Sequence, residues 1–355
     1  MFSSLLPVQH TTFPKEDISI KLSICLATYN RGRFIGETLD AILPQLAPGV
    51  ELLVVDGASP DNTQEVMSHY LARYPAIRYF REQENSGVDR DYDKAVGYAS
   101  GEYCWLMADD DLLSEGAVAS VLNTLTGEPD LVVVNAELRT VDMSMVLNDG
   151  MIDRTGSEWY ELQDAEKFFV EVGKYLSFIG GVVINRGVWM ERDRAKYYGS
   201  LFIHVGVIFQ KPLSIVRVIR RPLIAIRYGN AMWTPRGFEI WMFKWPGLIW
   251  SFTHYTSKAK SMVCARQPWQ DKKRVLLYRA LGGYSRTEYQ RLIAPQATRS
   301  ARIVYAVIAI LPASLLNALA SVYCAFINTR ARSDLYDLSL SKHATWLSRA
   351  LARLL

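Results

Sequence analysis

Cysteine is scarce and scattered. Cys25, Cys104, Cys264 and Cys324 form no CxxC and no Cys/His pair at metal-ligand spacing, which argues against a zinc site or a disulfide framework. Residues 1–17 lack a basic stretch followed by an apolar run and a small-residue cleavage site, so they do not read as a signal peptide. The catalytic part is therefore expected in a reducing cytoplasm. Charge of one sign is also lacking: the net charge is only +4. Residues 1–200 hold neither a concentrated basic patch nor stacking aromatics beside one, which argues against a nucleic-acid partner. Long disorder is excluded by composition, with 50% apolar and 21% charged residues. The mean hydropathy of +0.02 is high for a freely soluble enzyme.

What is there is an alternation. At 355 residues the chain fits one large domain and a smaller appendage. The run 20–28 is β-rich and apolar, ends in the polar cluster Thr28-Tyr-Asn-Arg-Gly-Arg33, and is followed by a helical pattern over 34–46. Val50 to Asp56 reads as a strand buried on both faces, followed by a helix over 64–74. A third strand over 77–80, the turn Asn85-Ser-Gly87 and a helix over 90–100 continue the βαβαβα order. The apolar strand 103–108 then runs into Asp109, Asp110 and Asp111, before a helix near 115–125 and a strand over 130–135. Later apolar segments predict a strand over 178–185, a helix over 188–198 and a strand over 215–226.

Ligands of open α/β sheets bind outside the carboxyl ends of the strands. Thr28 to Arg31, Asp56 and Asp109 to Asp111 all fall at such ends, so one cleft is expected to gather them. Three adjacent carboxylates repel one another, and a divalent cation with hard oxygen ligands, Mg²⁺ or Mn²⁺, relieves that repulsion. Such a cation bridges the phosphates of a nucleoside diphosphate and stabilises the leaving group. The alternative is a helix N-cap with acidic first-turn residues, a role open to Asp111.

The segments Ser23-Ile-Cys-Leu-Ala-Thr-Tyr-Asn-Arg31, Leu53-Val-Val-Asp-Gly-Ala-Ser-Pro-Asp-Asn-Thr63, Asn85-Ser-Gly87 and Gly101-Glu-Tyr-Cys-Trp-Leu-Met-Ala-Asp-Asp-Asp111 resemble family 2 glycosyltransferases of the GT-A fold. Within that family they are most similar to abequosyltransferase-like enzymes of bacterial O-antigen and exopolysaccharide assembly. The likeness covers roughly residues 20–135. It implies an α/β fold with a Rossmann-like, mostly parallel sheet and flanking helices, and a nucleotide-sugar donor. It places Thr28, Tyr29, Asn30 and Arg31 around base and phosphates, with Tyr29 stacking on the base. Asp56 then sits against the nucleoside, and Asn85 and Gly87 near the donor. Asp109 and Asp110 match the DxD region, with Asp110 the first choice as metal ligand. Two positions depart from the family pattern: Gly57 stands where a second Asp is frequent, and Ala108 stands at the first Asp of DxD.

An inverting transfer needs a base for the acceptor hydroxyl. The resemblance leads one to look for a Glu-Asp pair downstream, and none is present. The candidates are His204, named first for its unperturbed pKa, then Asp193 and Glu239. His204 in an apolar segment also reads as a core residue, and Asp91 and Asp93 either contact the donor or face solvent. The aromatic stretch 240–252 suits either a core helix or a membrane interface, with the interface preferred. Ile303 to Ile327 carries no charge over a length that could span a bilayer. Pro312 and Asn317 near its middle, and arginines on both sides (Arg299, Arg302, Arg330, Arg332), equally predict a broken, re-entrant or interfacial hairpin. The tail 335–355 reads as an amphipathic helix.

The expected parts are an extension (1–17), a GT-A domain (18–235), an aromatic-rich helical linker (236–300) and membrane-associated helices (301–355). That layout implies a lipid-linked acceptor on polyprenyl diphosphate, at the cytoplasmic face of a bacterial inner membrane. A nucleotidyltransferase is disfavoured by the single glycine in the first loop. A non-catalytic membrane scaffold of the same fold is the other alternative.

Overall fold

The computed structural model describes residues 19–232, 234–328 and 331–355; the expected N-terminal extension, Trp233 and Arg330 lie outside these. Strands β1 (Leu22–Thr28), β2 (Val50–Asp56), β3 (Arg78–Arg81) and β4 (Tyr103–Met107) alternate with helices α1 (Ile35–Ile42), α2 (Thr63–Arg73) and α3 (Val88–Tyr98). Leu52, Leu53, Val54 and Val55 of β2 are all buried, because helices cover both faces of a parallel sheet. Each such side chain contributes roughly 1.5–3 kcal/mol by leaving water.

The chain continues through β5 (Leu112–Leu113), α4 (Ala117–Thr124), β6 (Leu131–Arg139), β7 (Val146–Asn148), β8 (Trp159–Glu161), α5 (Ala165–Val172), β9 (Val182–Asn185), α6 (Arg186–Glu191), α7 (Ile203–Phe209) and β10 (Ile215–Arg227). The sheet order is β3-β2-β1-β4-β9-β6-β10-β5, with β7 on β6 and β8 on β10. The sheet is more mixed than expected: β9 inserts antiparallel between β4 and β6, and β5 runs antiparallel to β10. Strand order reverses beside β1, which has β2 on one side and β4 on the other, both parallel. The crevice of a doubly wound sheet opens at the carboxyl end of this point.

Two expected elements change, and an apolar segment with no expected form becomes a helix. Residues 178–185 form a short turn and then β9, and the segment 202–209 becomes α7, buried at every position. Helix 188–198 is cut to α6 and a single 3₁₀ turn.

Beyond the sheet lie α8 (Gly237–Glu239), a π-helical turn over Ile240–Lys244, α9 (Trp245–Ser251), α10 (Ser257–Val263), α11 (Lys272–Leu281), α12 (Arg286–Glu288), α13 (Arg299–Ile310), α14 (Ala313–Phe326), α15 (Arg332–Leu340) and α16 (Trp346–Ala352). Trp245 is buried with its ring edge-on to Phe202 at 5.0 Å, and Phe238, Met242 and Ile249 are buried too. The aromatic stretch is thus a packing element joining the sheet core to the helices, which corrects its preferred reading as a membrane interface. Among the described residues no single helix is long and apolar enough to cross a membrane. The pair α13 and α14 passes that test only jointly and is bent by 92°.

Candidate active site

Beyond β1 the chain turns sharply, with Asn30 at φ 59°, and three successive backbone N–H groups are captured by the loop after β2. Asn30 donates to Ser59 Oγ at 2.9 Å, Arg31 to Thr63 Oγ1 at 3.1 Å, and Gly32 to Asp61 Oδ2 at 2.9 Å. Gly32 is required by this close approach, since a Cβ there would lie 2.2 Å from Asn62 Oδ1. Burial pushes the Asp61 carboxyl upward, but hydrogen bonds from Thr63 and Gly32 outweigh it and hold its pKa below the usual value. The result is a fixed loop in which Tyr29 is half-buried and Arg31 reaches Asp109 and Asp110.

Asp56 closes β2 fully buried. Tyr79 donates to its Oδ2 at 2.6 Å, the Ser59 N–H to its Oδ1 at 2.8 Å, and Arg81 stands 3.7 Å away. Asp56 therefore braces β3 and the loop that follows β2 from within. Asn85 accepts from the Gly87 N–H at 2.8 Å, and Gly87 (φ 88°) starts α3. Two residues of α3 work in opposite directions. Asp93, weighed above as a donor contact or a solvent-facing group, is taken by Trp189 Nε1 at 2.9 Å, Arg194 Nε at 2.7 Å and the Tyr198 hydroxyl, and clamps α6 to α3. Asp91, by contrast, is buried beside the end of β2 with its Oδ2 2.8 Å from where a Cβ on Gly57 would stand.

That contact gives a physical reason for the departure at Gly57: a carboxylate from α3 fills the space a side chain there would take. The change Gly57→Asp is expected to lower the melting temperature by overpacking and like-charge repulsion worth about 2–3 kcal/mol. Adding Asp91→Ala to it should recover most of the loss in a double-mutant cycle followed by thermal unfolding. Additive losses would show that the two positions do not share this space.

After β4 come the three carboxylates, all buried: Asp109 and Asp110 at 8% exposure and Asp111 at 2%. Arg31 reaches over two of them, 3.5 Å from Asp109 Oδ1 and 3.5 Å from Asp110 Oδ2. Asn230 donates to Asp110 Oδ2 at 2.8 Å, and the Arg227 N–H donates to Asp111 Oδ1 at 2.9 Å. The Arg227 guanidinium donates to the Asp110 carbonyl at 2.9 Å, to Val141 O at 2.8 Å and to Glu37, and lies 5.2 Å from the Phe34 ring. Burial and the Asp110 charge push Asp109 up to about 7, against the pull of Arg31. Burial also raises Asp110, and burial together with the Asp110 charge raises Asp111 well above the carboxylate range. Two arginines thus face three acids. The local surplus of negative oxygen, the loose 3.5 Å pairing with Arg31, and Thr28 Oγ1, buried beside Asp109 without a full hydrogen bond, form a hard-oxygen donor set suited to a small divalent cation. Among the described residues no three His, Cys, Asp or Glu side chains form a complete cage. A cation that shares its shell with phosphates needs only one or two carboxylates.

The three base candidates separate. Asp193 is exposed in a turn, where its N–H binds Gln210 Oε1 at 3.0 Å. Glu239 is paired to Arg291 at 2.8 Å and to Arg236 at 3.9 Å. Neither shares a hydrogen bond or ion pair with Arg31, Asp109 or Asp110. His204 lies in the first turn of α7, whose entry is tied to α3: Asp89 accepts from the Leu201 N–H at 2.9 Å and the Ile203 N–H at 3.0 Å. The ring is buried; its Nε2 donates to Leu176 O at 2.8 Å and Nδ1 has no partner. Burial lowers its pKa to about 3.

Arg227, Asn230 and Phe34 escaped the sequence reading, and Asp91, weighed as a donor contact or a solvent-facing group, is instead buried over Gly57. Arg227 closes β10 and Asn230 follows it in a polar cluster, Arg227-Tyr-Gly-Asn230, at the carboxyl end of a strand parallel to β6. The rule applied to β1, β2 and β4 would have found them.

Residues 23–166 match the family model described as glycosyl transferase family 2. The chain is 27% identical over 230 residues to the abequosyltransferase RfbV of Salmonella typhimurium, covering 61% of this chain and 69% of that protein. In fold it is similar to S. aureus TarS 1–349, solved with UDP-GlcNAc (TM-score 0.53, 14% identity, 94% of this chain and 90% of the other). It is similar also to a mannosyltransferase from Pyrobaculum calidifontis, solved with GDP-Man and Mn²⁺ (TM-score 0.51, 18% identity, 90% and 85%). At these identities the two structures speak to the fold alone. The matched segment carries β1, β2, β4 and all three carboxylates of the cleft, so residues 23–166 form a domain of the glycosyl transferase family 2 type.

Proposed function

We propose that this enzyme moves a sugar, with inversion, from a nucleoside-diphosphate sugar to a lipid-linked glycan on polyprenyl diphosphate. The transfer takes place at the cytoplasmic face of a bacterial inner membrane during surface polysaccharide assembly. The observation that carries the reading is the gathering of Arg31, Asp109, Asp110 and Asn230 at the carboxyl end of β1 and β4. Support comes from the similarity to RfbV, and from two proteins of this fold that hold sugar nucleotides, one of them with Mn²⁺. Asp110, with Asp109 beside it, would hold Mn²⁺ or Mg²⁺, and the ion would neutralise charge on the departing diphosphate. Arg31 contributes a fixed positive charge to the same phosphates, and Tyr29 offers its ring to the base. His204 is kept as the acceptor base. Its Nε2–H is committed to Leu176, so Nδ1 carries the lone pair; burial, which lowers the pKa to about 3, leaves it a weak base until acceptor binding brings a hydroxyl to it.

The test is nucleotide release by detergent-purified protein from UDP-, GDP-, CDP- and dTDP-sugars with Mn²⁺ or Mg²⁺, then with EDTA. Release from one donor that stops with EDTA is the expected result. Failure of every donor both to react and to bind with metal would move a non-catalytic scaffold ahead. His204→Gln keeps an N–H for Leu176 and removes the base, so kcat should fall about 10²–10⁴-fold with KM and melting temperature little changed. Retained turnover with a lower melting temperature would make His204 a core residue. An anomeric assignment of the product by NMR that showed retention would overturn inversion.

A further inference from the structure

We propose that α13 and α14 dock in the plane of an anionic phospholipid bilayer, sinking one apolar face to the headgroup boundary without crossing. This deepens the reading above by naming the surface that holds the enzyme beside a lipid-linked acceptor.

The two helices are polarised inside out. On α14 the stripe turned toward the protein carries Asn317 and Ser321, both fully buried, with Cys324. Asn317 Nδ2 donates to Leu338 O at 2.9 Å and to Ser341 Oγ at 3.1 Å. The outward stripe carries Leu315, Leu319 and Phe326 at 58, 59 and 67% exposure. On α13 the buried residues are Tyr305, Ile308 and Ala309, and Ile303, Val307 and Ile310 point outward at 69, 48 and 54%. A helix on a solvated surface puts polar groups outside, and contiguous exposed apolar patches mark docking sites.

Crossing is excluded by the inner faces. Arg279 Nε donates to Leu311 O at 2.9 Å and Tyr284 to Tyr305 O at 3.0 Å, so both helices are fastened to the same body. Their lengths of 12 and 14 residues reach about 18 and 21 Å, short of a hydrocarbon core of about 30 Å. The 92° bend falls at Leu311 and Pro312. Since both inner stripes pack on one body, both outer stripes face away from it.

Charge selects the occupant. Residues 289–333 contain no Asp or Glu, and Arg299, Arg302 and Arg332 flank the apolar stripes. Trp346, 80% exposed, opens α16, which packs on α14. Basic residues around an apolar face with a Trp at its edge suit anionic headgroups. A second copy would set the same arginine-flanked face against itself, like charge to like.

Flotation of the full chain, freed of detergent, with vesicles of phosphatidylcholine alone or mixed with phosphatidylglycerol tests this. Binding is expected with phosphatidylglycerol, weaker binding without it, and release by high salt with alkaline carbonate. The triple change Ile303→Glu, Leu319→Glu, Phe326→Glu should lower vesicle affinity at least tenfold, and Arg299→Gln roughly fivefold, both leaving the melting temperature unchanged. Equal binding by the triple variant, carbonate-resistant retention, or a dimer by light scattering that ignores vesicles would each overturn the proposal. No sugar nucleotide enters the assay, so an enzyme inert to every donor could still bind vesicles, and the two readings fail separately.

Discussion

Changing Asp110 to alanine is expected to cut donor turnover by about 10²–10³-fold while making the metal-free protein more stable, not less, above pH 7. The loss of rate follows from its place between Arg31 and Asn230 at the mouth of the cleft. The gain in stability follows from linkage. An unfolded aspartate gives up its proton near pH 4, whereas folded Asp109 keeps its own to about 7 because it is buried beside the Asp110 charge. Between those values the native state binds more protons than the unfolded one, so stability falls as pH rises through the window and is lowest above it. For Asp109 the penalty is no more than about 4 kcal/mol. Without a charge at 110, Asp109 ionises more easily and the slope flattens. Adding Mn²⁺ should raise the wild-type melting temperature at pH 8 and leave the variant nearly unmoved. Melting curves from pH 5 to 8.5, with and without Mn²⁺, decide it. A variant that melts lower at pH 8, or that keeps wild-type turnover, would contradict a charge-strained metal site.

The first half of the fold was legible because its signals are local. β1, β2 and β4 are apolar runs that stop at polar residues, and a strand buried on both faces must read that way. β9 was harder, since an apolar run does not disclose that it will insert antiparallel between β4 and β6. α7 gave no period at all: all seven of its residues are buried, so no polar face marks it as a helix, and His204 stood out for its chemistry alone. The cleft shows the same division. Thr28, Asp56 and the three acids lie at strand ends that can be found one by one. Partnerships across the chain cannot: Arg227 with Asp111, or Asp91 with the space over Gly57, depends on register that only the assembled sheet sets. Asp93 misled because a carboxylate two residues from Asp91 on a helix points elsewhere.

Arg227→Ala should be the most damaging single change for stability, at about 3–5 kcal/mol. Its guanidinium is nearly inaccessible and holds the carbonyls of Asp110 and Val141, so truncation leaves buried acceptors unpaired beside acids that have lost a counter-charge. The ion pair with Glu37 contributes little to this, because Glu37 is 57% exposed and screened by water; Glu37→Gln should shift the melting temperature only slightly. Asp111 keeps its bond from the backbone N–H of residue 227 in any variant, so the loop after β4 should loosen at Asp110 first. Arg227→Lys separates charge from shape. Lysine restores the positive charge, and with it the shallower fall of stability with pH, but one ammonium cannot span two carbonyls in a planar fork or stack on Phe34. It should therefore recover the pH slope and less than half of the lost stability in urea unfolding at pH 6 and 8. Full recovery by lysine would mean that charge alone matters, and an alanine variant within 1 kcal/mol of wild type would remove Arg227 from its place as the link between β10 and the carboxylates.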